Sequence, residues 1–319
     1  MQPVYIQHIA SIHAEGSLSD LSNLGTPNLP YLKACEPDYK SIITNATLRR
    51  RMSRIIKMGV ACGLECINDL PAEKVGGIIT APGLGCLADT EKFINSLIDH
   101  EERMLNPTPF IQSTFNTIGA QIALLRRIHA YNMTYVHRGL SFESALIDAI
   151  ISVWEGKDNI LVGAIDEITE TSYVIQQRLG LLKSIQAGEG AQFFLLSRTA
   201  NEQTLGEING VETRVGEYSA QEIGDWITAF IQKSEVESRE ITQFVAGNSG
   251  STIQDIARSV PTAIHQTFKD QCGEYPTASS YALWKTIQDL QSSTQSEIVL
   301  IYNCYQSINH SLILIRKEV

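Results

Sequence analysis

The hydrophobic positions near the start of the chain repeat at helical spacing. One face of this pattern carries Leu48, Met52, Ile55, Ile56, Val60 and Leu64. Apolar residues three or four apart form the buried stripe of an amphipathic helix, so a helix is predicted from Thr47 onward. Comparable patterns predict helices over residues 115–130, 139–154, 219–233, 253–268 and 278–290.

Short apolar runs predict strands between these helices. They lie at the N-terminus through Ile6, and at 75–80, 133–136, 159–164, 192–197, 244–245, 298–302 and 312–315. Strands that alternate with helices are typical of an α/β fold. The alternation occurs in two series that meet near residue 214, which predicts two similar halves, 1–213 and 214–319. Residues 15–37 are rich in Ser, Gly, Pro and Asn and predict a loop region.

Composition narrows the function classes. The chain has 319 residues, 43% of them hydrophobic, enough for one large domain or two fused ones. Its net charge of -10 repels phosphates, so nucleic acid is not expected as a partner. No apolar run reaches membrane-spanning length and the start lacks a signal peptide, so we expect a cytoplasmic protein without a membrane partner. The scattered cysteines and histidines predict reduced thiols, no metal site and no cofactor.

Several segments, in order, carry a resemblance to a known family. They are 50–54 (Arg-Arg-Met-Ser-Arg), 83–93 after a Gly-rich turn, 109–120 with Asn-Thr-Ile-Gly-Ala, 156–167, and 188–191 (Gly-Glu-Gly-Ala) before an apolar strand. Together they resemble the β-ketoacyl-acyl-carrier-protein synthase family of the thiolase superfamily, from residue 48 to the end. The resemblance implies a thiolase-like fold, with two similar βα halves stacked as α/β/α/β/α layers.

The residues that this family uses for condensation are replaced here. The family needs a cysteine at the N-terminus of a buried helix and two histidines. The resemblance places Gly139 at the cysteine position, and residues 135–141 contain no cysteine. Asn248 stands for the first histidine and Glu274 for the second, while the final Gly-rich loop, 303–309, has lost its glycines. We therefore expect no catalytic residue, because glycine has no side chain that could carry an acyl group.

These departures resemble the chain-length factors of type II polyketide systems. The resemblance implies a non-condensing partner subunit in fatty-acid- or polyketide-type biosynthesis, with kinship to aryl-polyene and flexirubin clusters. The implied partners are an active synthase in a heterodimer, or a second copy in a homodimer, and an acyl carrier protein. The strand at 133–136 would lie at the dimer interface. The basic run Arg49-Arg50-Arg51 is a candidate docking site for the acidic carrier, or an ordinary solvated helix end.

Two other functions remain open. One is an acyltransferase or 3-oxoacyl-acyl-carrier-protein synthase with an altered nucleophile. Its candidates are Ser141, paired with His137 four residues earlier and with Glu143 as orienting carboxylate, and Cys304 in the final loop. The simpler interpretations are a helix-capping polar pair and an inert packed thiol. The other function is a module that binds an acyl carrier protein without processing the chain.

Two charged positions near these candidates also have two interpretations each. Glu274 with Lys269 forms either a buried ion pair or a charge on a solvated turn. Arg138 either reaches the partner's channel or a carrier phosphate, or is a surface residue.

Overall fold

The computed structural model describes residues 3–14, 16–17, 31–182, 185–248 and 250–318. The predicted loop at 15–37 lies largely outside these residues. Among the described helices, none combines the length and the apolarity that crossing a membrane requires.

Eleven strands and twelve helices alternate along the described chain. The strands are β1 (Val4–His13), β2 (Gly16–Ser17), β3 (Gly77–Pro82), β4 (Tyr131–Thr134), β5 (Ile160–Asp166), β6 (Gly190–Ser197), β7 (Gly206–Val215), β8 (Gln243–Ala246), β9 (Ile264–Thr267), β10 (Glu297–Tyr305) and β11 (Asn309–Lys317). The helices are α1 (Tyr39–Ile42), α2 (Ala46–Arg51), α3 (Arg54–Cys66), α4 (Leu87–Asp99), α5 (Pro107–Ser113), α6 (Thr117–Arg126), α7 (Ser141–Trp154), α8 (Glu170–Arg178), α9 (Ala220–Lys233), α10 (Ser251–Ala257), α11 (Lys269–Cys272) and α12 (Ser279–Leu290).

The strand order repeats between the two halves. The first half has the order β4-β3-β5-β6-β1, and the second has β9-β8-β10-β11-β7. In each half the first three strands are parallel and the last two are antiparallel. The halves join where β1 pairs with β7, with Val4 opposite Ile208. The predicted boundary between residues 213 and 214 falls inside β7, so we propose that the second half begins at this strand.

Three hydrophobic cores separate five layers. Helices α7 and α12 fill the central core, and the inner faces of both sets of strands pack on them. A second core joins α3 and α6 to the outer face of the first set, and a third joins α9 and α10 to the outer face of the second. Successive side chains in a strand point to opposite faces, so one strand supplies two cores: Leu161 of β5 faces α3, while Val162 faces α7. The α/β/α/β/α layering predicted from the resemblance is confirmed.

Some predicted elements have different bounds. The helix predicted from Thr47 is two helices, because the chain breaks at Met52 and Ser53 between α2 and α3. The strand predicted at 133–136 is β4, two residues earlier. The helix predicted over 253–268 is wrong: α10 ends at Ala257 and β9 follows. Pro261 lies between them and has no N–H to continue a helix.

Candidate functional site

Gly139 lies at the entrance of the central helix α7. A short 3₁₀ turn, Arg138–Leu140, leads from β4 into this helix, and Arg138 has a left-handed φ of 51°. Helix α7 is buried between both sets of strands. Its N-terminus carries unpaired N–H groups and the positive end of the helix dipole, a setting that stabilises anions. Position 139, where the resemblance implies a nucleophile, therefore lies at the N-terminus of a buried helix, where backbone N–H groups favour a negatively charged group.

The ring of Tyr305 occupies the space that a side chain at position 139 would need. A Cβ on Gly139 would lie 2.4 Å from Tyr305 Cδ1 and 2.9 Å from its Cβ. Distances under about 3 Å between carbon atoms are repulsive. Tyr305 is buried and ends β10, in the loop where the resemblance implies glycines. The site thus lacks a thiol and is filled where a thiol would stand.

Glu274 forms a buried ion pair with Lys269. The Nζ atom of Lys269 lies 2.9 Å from Glu274 Oε2 and donates to the Cys304 carbonyl at 2.8 Å. The Lys269 side chain is 0% exposed and that of Glu274 is 12% exposed. Burial raises the pKa of Glu274, while the Lys269 charge acts in the opposite sense. Of the two interpretations offered by the sequence, the structure shows the ion pair.

Asn248 is exposed at the end of β8, at the mouth of a cavity. Its neighbour Ser249 lies outside the described residues. Glu274 and Cys304 line the same cavity, so the structure brings together three of the predicted positions. Gly139 is linked to them through Tyr305, which covers it and also lines the cavity.

The cavity has a volume of about 520 Å³ and lies between α9, α10, the segment after α8 and the β10–β11 turn. One part of its wall is apolar and is formed by Leu181, Leu182, Ile185, Ile223, Ile253 and Ile256. Polar side chains also line the cavity, among them Tyr302, Cys304, His310 and Glu274. Apolar walls with a few convergent polar groups are typical of small-molecule sites.

The polar part of the cavity contains a hydrogen-bond chain that the sequence did not predict. The Tyr302 hydroxyl lies 2.9 Å from His310 Nδ1, and His310 Nε2 lies 3.1 Å from the Gly216 carbonyl. A carbonyl only accepts, so Nε2 carries the hydrogen and Nδ1 accepts from Tyr302. Burial lowers the pKa of His310 and raises that of Cys304.

His137 and Ser141 do not pair through their side chains. The Ser141 hydroxyl accepts from the His137 backbone N–H at 2.8 Å, and His137 Nδ1 lies 2.9 Å from the Ser144 hydroxyl. Glu143 is fully buried near Ser279, Ser311 and the Lys269 charge, and burial raises its pKa. The three residues of the predicted acyltransferase arrangement thus have separate surroundings.

Buried carboxylates hold the loops around the site by accepting hydrogen bonds from them. Asp166 accepts from the N–H groups of Gly83, Leu84 and Thr277 and from the Thr277 hydroxyl, at 2.7–3.1 Å. Burial raises the pKa of Asp166 to about 6. Glu189 accepts two bonds from Arg54. The hydrogen bonds of Asp166 connect the loop after β3 to the residues just before α12.

Glu167 should make the stability of the protein depend on pH. Burial raises its pKa to about 7, although the Ala88 N–H donates to it. A folded-state pKa above the unfolded value means that the folded state binds the proton more readily. The contribution of Glu167 to stability is therefore present at acidic pH and lost as pH rises through 7. Glu167→Gln should be about 2–4 kcal/mol more stable than the wild type at pH 8, with a difference that vanishes near pH 4.

Urea denaturation at pH 5, 6, 7 and 8 measures this difference. The matched control is Glu202→Gln, because Glu202 is exposed and should leave the wild-type pH profile unchanged. Parallel profiles for Glu167→Gln and the wild type would contradict the prediction.

Comparisons with known proteins agree with this architecture. The family model described as β-ketoacyl synthase, N-terminal domain, matches residues 30–213. The structure resembles that of the ishigamide ketosynthase/chain length factor with a TM-score of 0.81, at 14% identity over 100% of both chains. It resembles a β-ketoacyl synthase from Burkholderia phymatum with a TM-score of 0.80, at 13% identity over 100% of both chains.

A third structure contains a carrier protein. It is AntDE:AntF, a type II PKS acyl-carrier protein in complex with its ketosynthase bound to the hexaketide, and it matches with a TM-score of 0.80, at 13% identity over 100% of both chains. At sequence identities of 13–14%, the similarity to these structures shows the fold alone. The predicted thiolase-like fold is confirmed. No curated protein matches the chain in sequence.

Proposed function

The chain belongs to the β-ketoacyl synthase family, and from this premise we propose that it is a chain-length-factor-like partner subunit of an active synthase. The observation that carries the proposal is the contact between Tyr305 and Gly139. A subunit that condensed on its own would need a nucleophile where this ring lies. The chain would then shape the acyl chain made by its partner, in a cytoplasmic pathway of fatty-acid or polyketide type.

The substitutions around this position support the same role. A buried ion pair, Lys269–Glu274, stands where the family's second histidine is implied, and an exposed Asn248 stands for the first. An enolate formed by decarboxylation needs hydrogen-bond donors aimed at its oxygen. A carboxylate at Glu274 only accepts hydrogen bonds when ionised. The site therefore lacks the group that would hold the acyl chain, and neither of the two implied histidine positions carries an imidazole.

The surface around β4 supports a protein partner. This short strand pairs with β3 along one edge, at the end of the strand order. Next to it a groove of about 730 Å³ lies between α6 and β4, with Leu124 60% exposed and Met133 40% exposed. An exposed strand edge beside apolar side chains is a template for pairing. We assign this surface to the contact with the active synthase.

The partners follow from the same proposal. One structural relative is a ketosynthase/chain length factor, and another is an acyl-carrier protein in complex with its ketosynthase. We therefore propose an active synthase as the dimer partner and an acyl carrier protein as the donor of the chain. An aryl-polyene pathway is the narrower assignment, supported by the resemblance of the sequence to the subunits of such clusters.

Co-expression with an active synthase from the same gene neighbourhood tests the partner role. The wild-type chain should co-purify as a 1:1 heterodimer in size-exclusion chromatography. Met133→Asp should weaken that heterodimer at least tenfold, because a carboxylate would be desolvated in the contact. The matched control is Ile264→Asp on β9, the corresponding edge strand of the second half, where Ile264 is 66% exposed.

Two outcomes would refute this proposal. One is a wild-type chain that stays separate from the synthase at micromolar concentrations. The other is a complex that Ile264→Asp weakens and Met133→Asp does not. A further readout is product length: the synthase with this chain should release a defined chain, and the synthase with the Met133→Asp variant should not.

A further inference from the structure

We propose that Glu143 is the centre of a buried binding site for a monovalent alkali cation. The other ligands come from three neighbouring elements and are Ser279 just inside α12, Ser311 of β11 and Asn303 of β10, all of them buried. The cation would connect the two halves of the fold one helical turn further into α7 than Gly139. Such a site would exist whether or not the chain pairs with a synthase.

The Glu143 carboxylate is fully buried, and neither of its oxygens has a hydrogen-bond partner in the described part of the chain. The Ser279 and Ser311 hydroxyls lie beside it and favour its ionised form, although neither reaches the geometry of a hydrogen bond. Buried charges in proteins are paired or coordinate a cation, because an isolated ion loses its solvation. Glu143 therefore requires a positive group in contact with its oxygens.

The charges around Glu143 leave one negative charge without compensation. The positive charge that acts on Glu143 is that of Lys269, and the Lys269 ammonium group is already bonded to Glu274 at 2.9 Å. Two carboxylates thus share one ammonium group. One further positive charge balances the three groups, and it can be supplied by a bound cation or by a proton.

The oxygen atoms next to Glu143 favour the cation. Ser279 Oγ and Asn303 Oδ1 are buried and, within the described ranges, have no hydrogen-bond partner. A proton on the carboxylate would form a single hydrogen bond and would leave the other oxygens unpaired. Hard cations, by contrast, take several carboxylate, amide or hydroxyl oxygens at once. A cation would therefore satisfy the whole cluster.

Strand register places Asn303 next to Glu143. Asn303 lies directly opposite Ser311 in the β10–β11 pair, and Ser311 is beside Glu143. Tyr305, two residues further along β10, is on the same face and contacts Gly139. The step from Tyr305 back to Asn303 spans about 6.6 Å, and one turn of α7 spans about 5.4 Å. Asn303 therefore lies at the level of Glu143, one turn into the helix.

The ligand set matches a single positive charge. Among the residues that the structure describes, no group of three or more His, Cys, Asp or Glu side chains could hold a metal ion, which argues against zinc or a similar divalent ion. One carboxylate with neutral amide and hydroxyl oxygens carries one negative charge. Sodium and potassium carry one positive charge and take oxygen ligands, so either ion fits this chemistry.

Thermal unfolding of the purified chain in potassium, sodium or tetramethylammonium chloride tests the site. Tetramethylammonium has the same charge but is too large to reach buried oxygens. At equal ionic strength and pH 8, the wild-type midpoint should be at least about 3 °C higher in one of the alkali salts, since a ligand that binds only the folded state stabilises it. The salt with the larger shift identifies the preferred ion.

Variants assign the effect to Glu143. Glu143→Gln keeps the size of the side chain and removes its charge, so the difference between the salts should disappear. Ser279→Ala removes one oxygen ligand and should reduce the difference. The matched control is Asp89→Asn in the first turn of α4, because Asp89 is also a buried carboxylate with an unpaired oxygen but lies outside the cluster. It should keep the wild-type difference.

Thallium(I) provides a measurement that needs no variant. This ion has the charge and nearly the size of potassium and scatters X-rays anomalously. Crystals of the wild-type chain grown with thallium(I) should show an anomalous-diffraction peak in contact with the Glu143 carboxylate.

Three results would overturn the proposal. They are the same midpoint in all three salts, a difference that persists in Glu143→Gln or is lost in Asp89→Asn, and no thallium peak at Glu143. The first of these, together with a midpoint that depends on pH, would assign the compensating charge to a proton. None of these results bears on the partner role, which is tested by the heterodimer and by the Met133→Asp variant.

Discussion

Gly139→Cys is expected to lower the free energy of unfolding by about 2–3 kcal/mol and to leave the chain unable to elongate a thioester. The new Cβ would lie 2.9 Å from the Cβ of Tyr305, an atom held by the backbone of β10. Rotation of the tyrosine ring therefore relieves only part of the contact. Restoring the thiol alone would destabilise the site without making it a synthase.

A double-mutant cycle with Tyr305→Gly measures this contact. Tyr305→Gly removes both the ring and its Cβ, so Gly139→Cys should cost much less in that background. The matched control is Gly224→Ala in α9, where a Cβ would meet only Ser259 Cβ at 3.9 Å. That helical substitution should be neutral or stabilising by up to about 1 kcal/mol. Additive effects of Gly139→Cys and Tyr305→Gly in urea denaturation would contradict the overlap.

Lys269→Met should lower the free energy of unfolding by about 3–5 kcal/mol. Its ammonium group is fully buried and bonds Glu274 and the Cys304 carbonyl. Loss of the ammonium leaves the Glu274 carboxylate in a largely buried position without its counter-charge. Glu143 lies in the first turn of α7, and the Lys269 charge favours its ionised form. The substitution removes this effect as well. An uncompensated buried charge costs more than a lost surface pair, because solvation is not restored.

The size of this effect distinguishes a structural pair from a surface contact. In the double variant Lys269→Met/Glu274→Leu the loss should be smaller than in Lys269→Met alone, because no buried charge remains. The matched control is Lys285→Met, whose partner Asp289 lies one helical turn away and is about a third exposed. That substitution should cost under about 1 kcal/mol. Equal losses for Lys269→Met and Lys285→Met would rule out the proposed energetics.

The two effects concern how the site is filled. Tyr305 covers Gly139, where the resemblance implies a nucleophile, and the Lys269–Glu274 pair lies where the resemblance implies a histidine. Tyr305 and the Lys269–Glu274 pair are packed between the layers. A single substitution therefore does not restore a reactive group at either position.

Sequence patterns predicted the long buried elements and missed the exposed ones. Strands β5 and β6 are nearly continuous apolar runs, and helix α7 has its buried apolar residues at helical spacing, so these elements are clear in the sequence. Strand β7 was missed because Glu207, Glu212 and Arg214 interrupt its apolar positions. Strand β9 was missed because it is a mostly exposed edge strand of four residues, which needs little apolar surface. The residues before β9 repeat at helical spacing, and the predicted helix was extended across the strand.

The sequence by itself determined that no thiol stands at the start of α7, and that helices and strands alternate in two series. Those features are local, since residue identity and spacing along one element contain them. Only the tertiary structure decided that Tyr305 covers Gly139 and that Tyr302 and His310 accompany Cys304 in one cavity. These contacts depend on strand register, and a shift of one residue would turn each of these side chains to the opposite face of the sheet. Register is set by the packing of two layers on α7 and α12, which no single segment specifies.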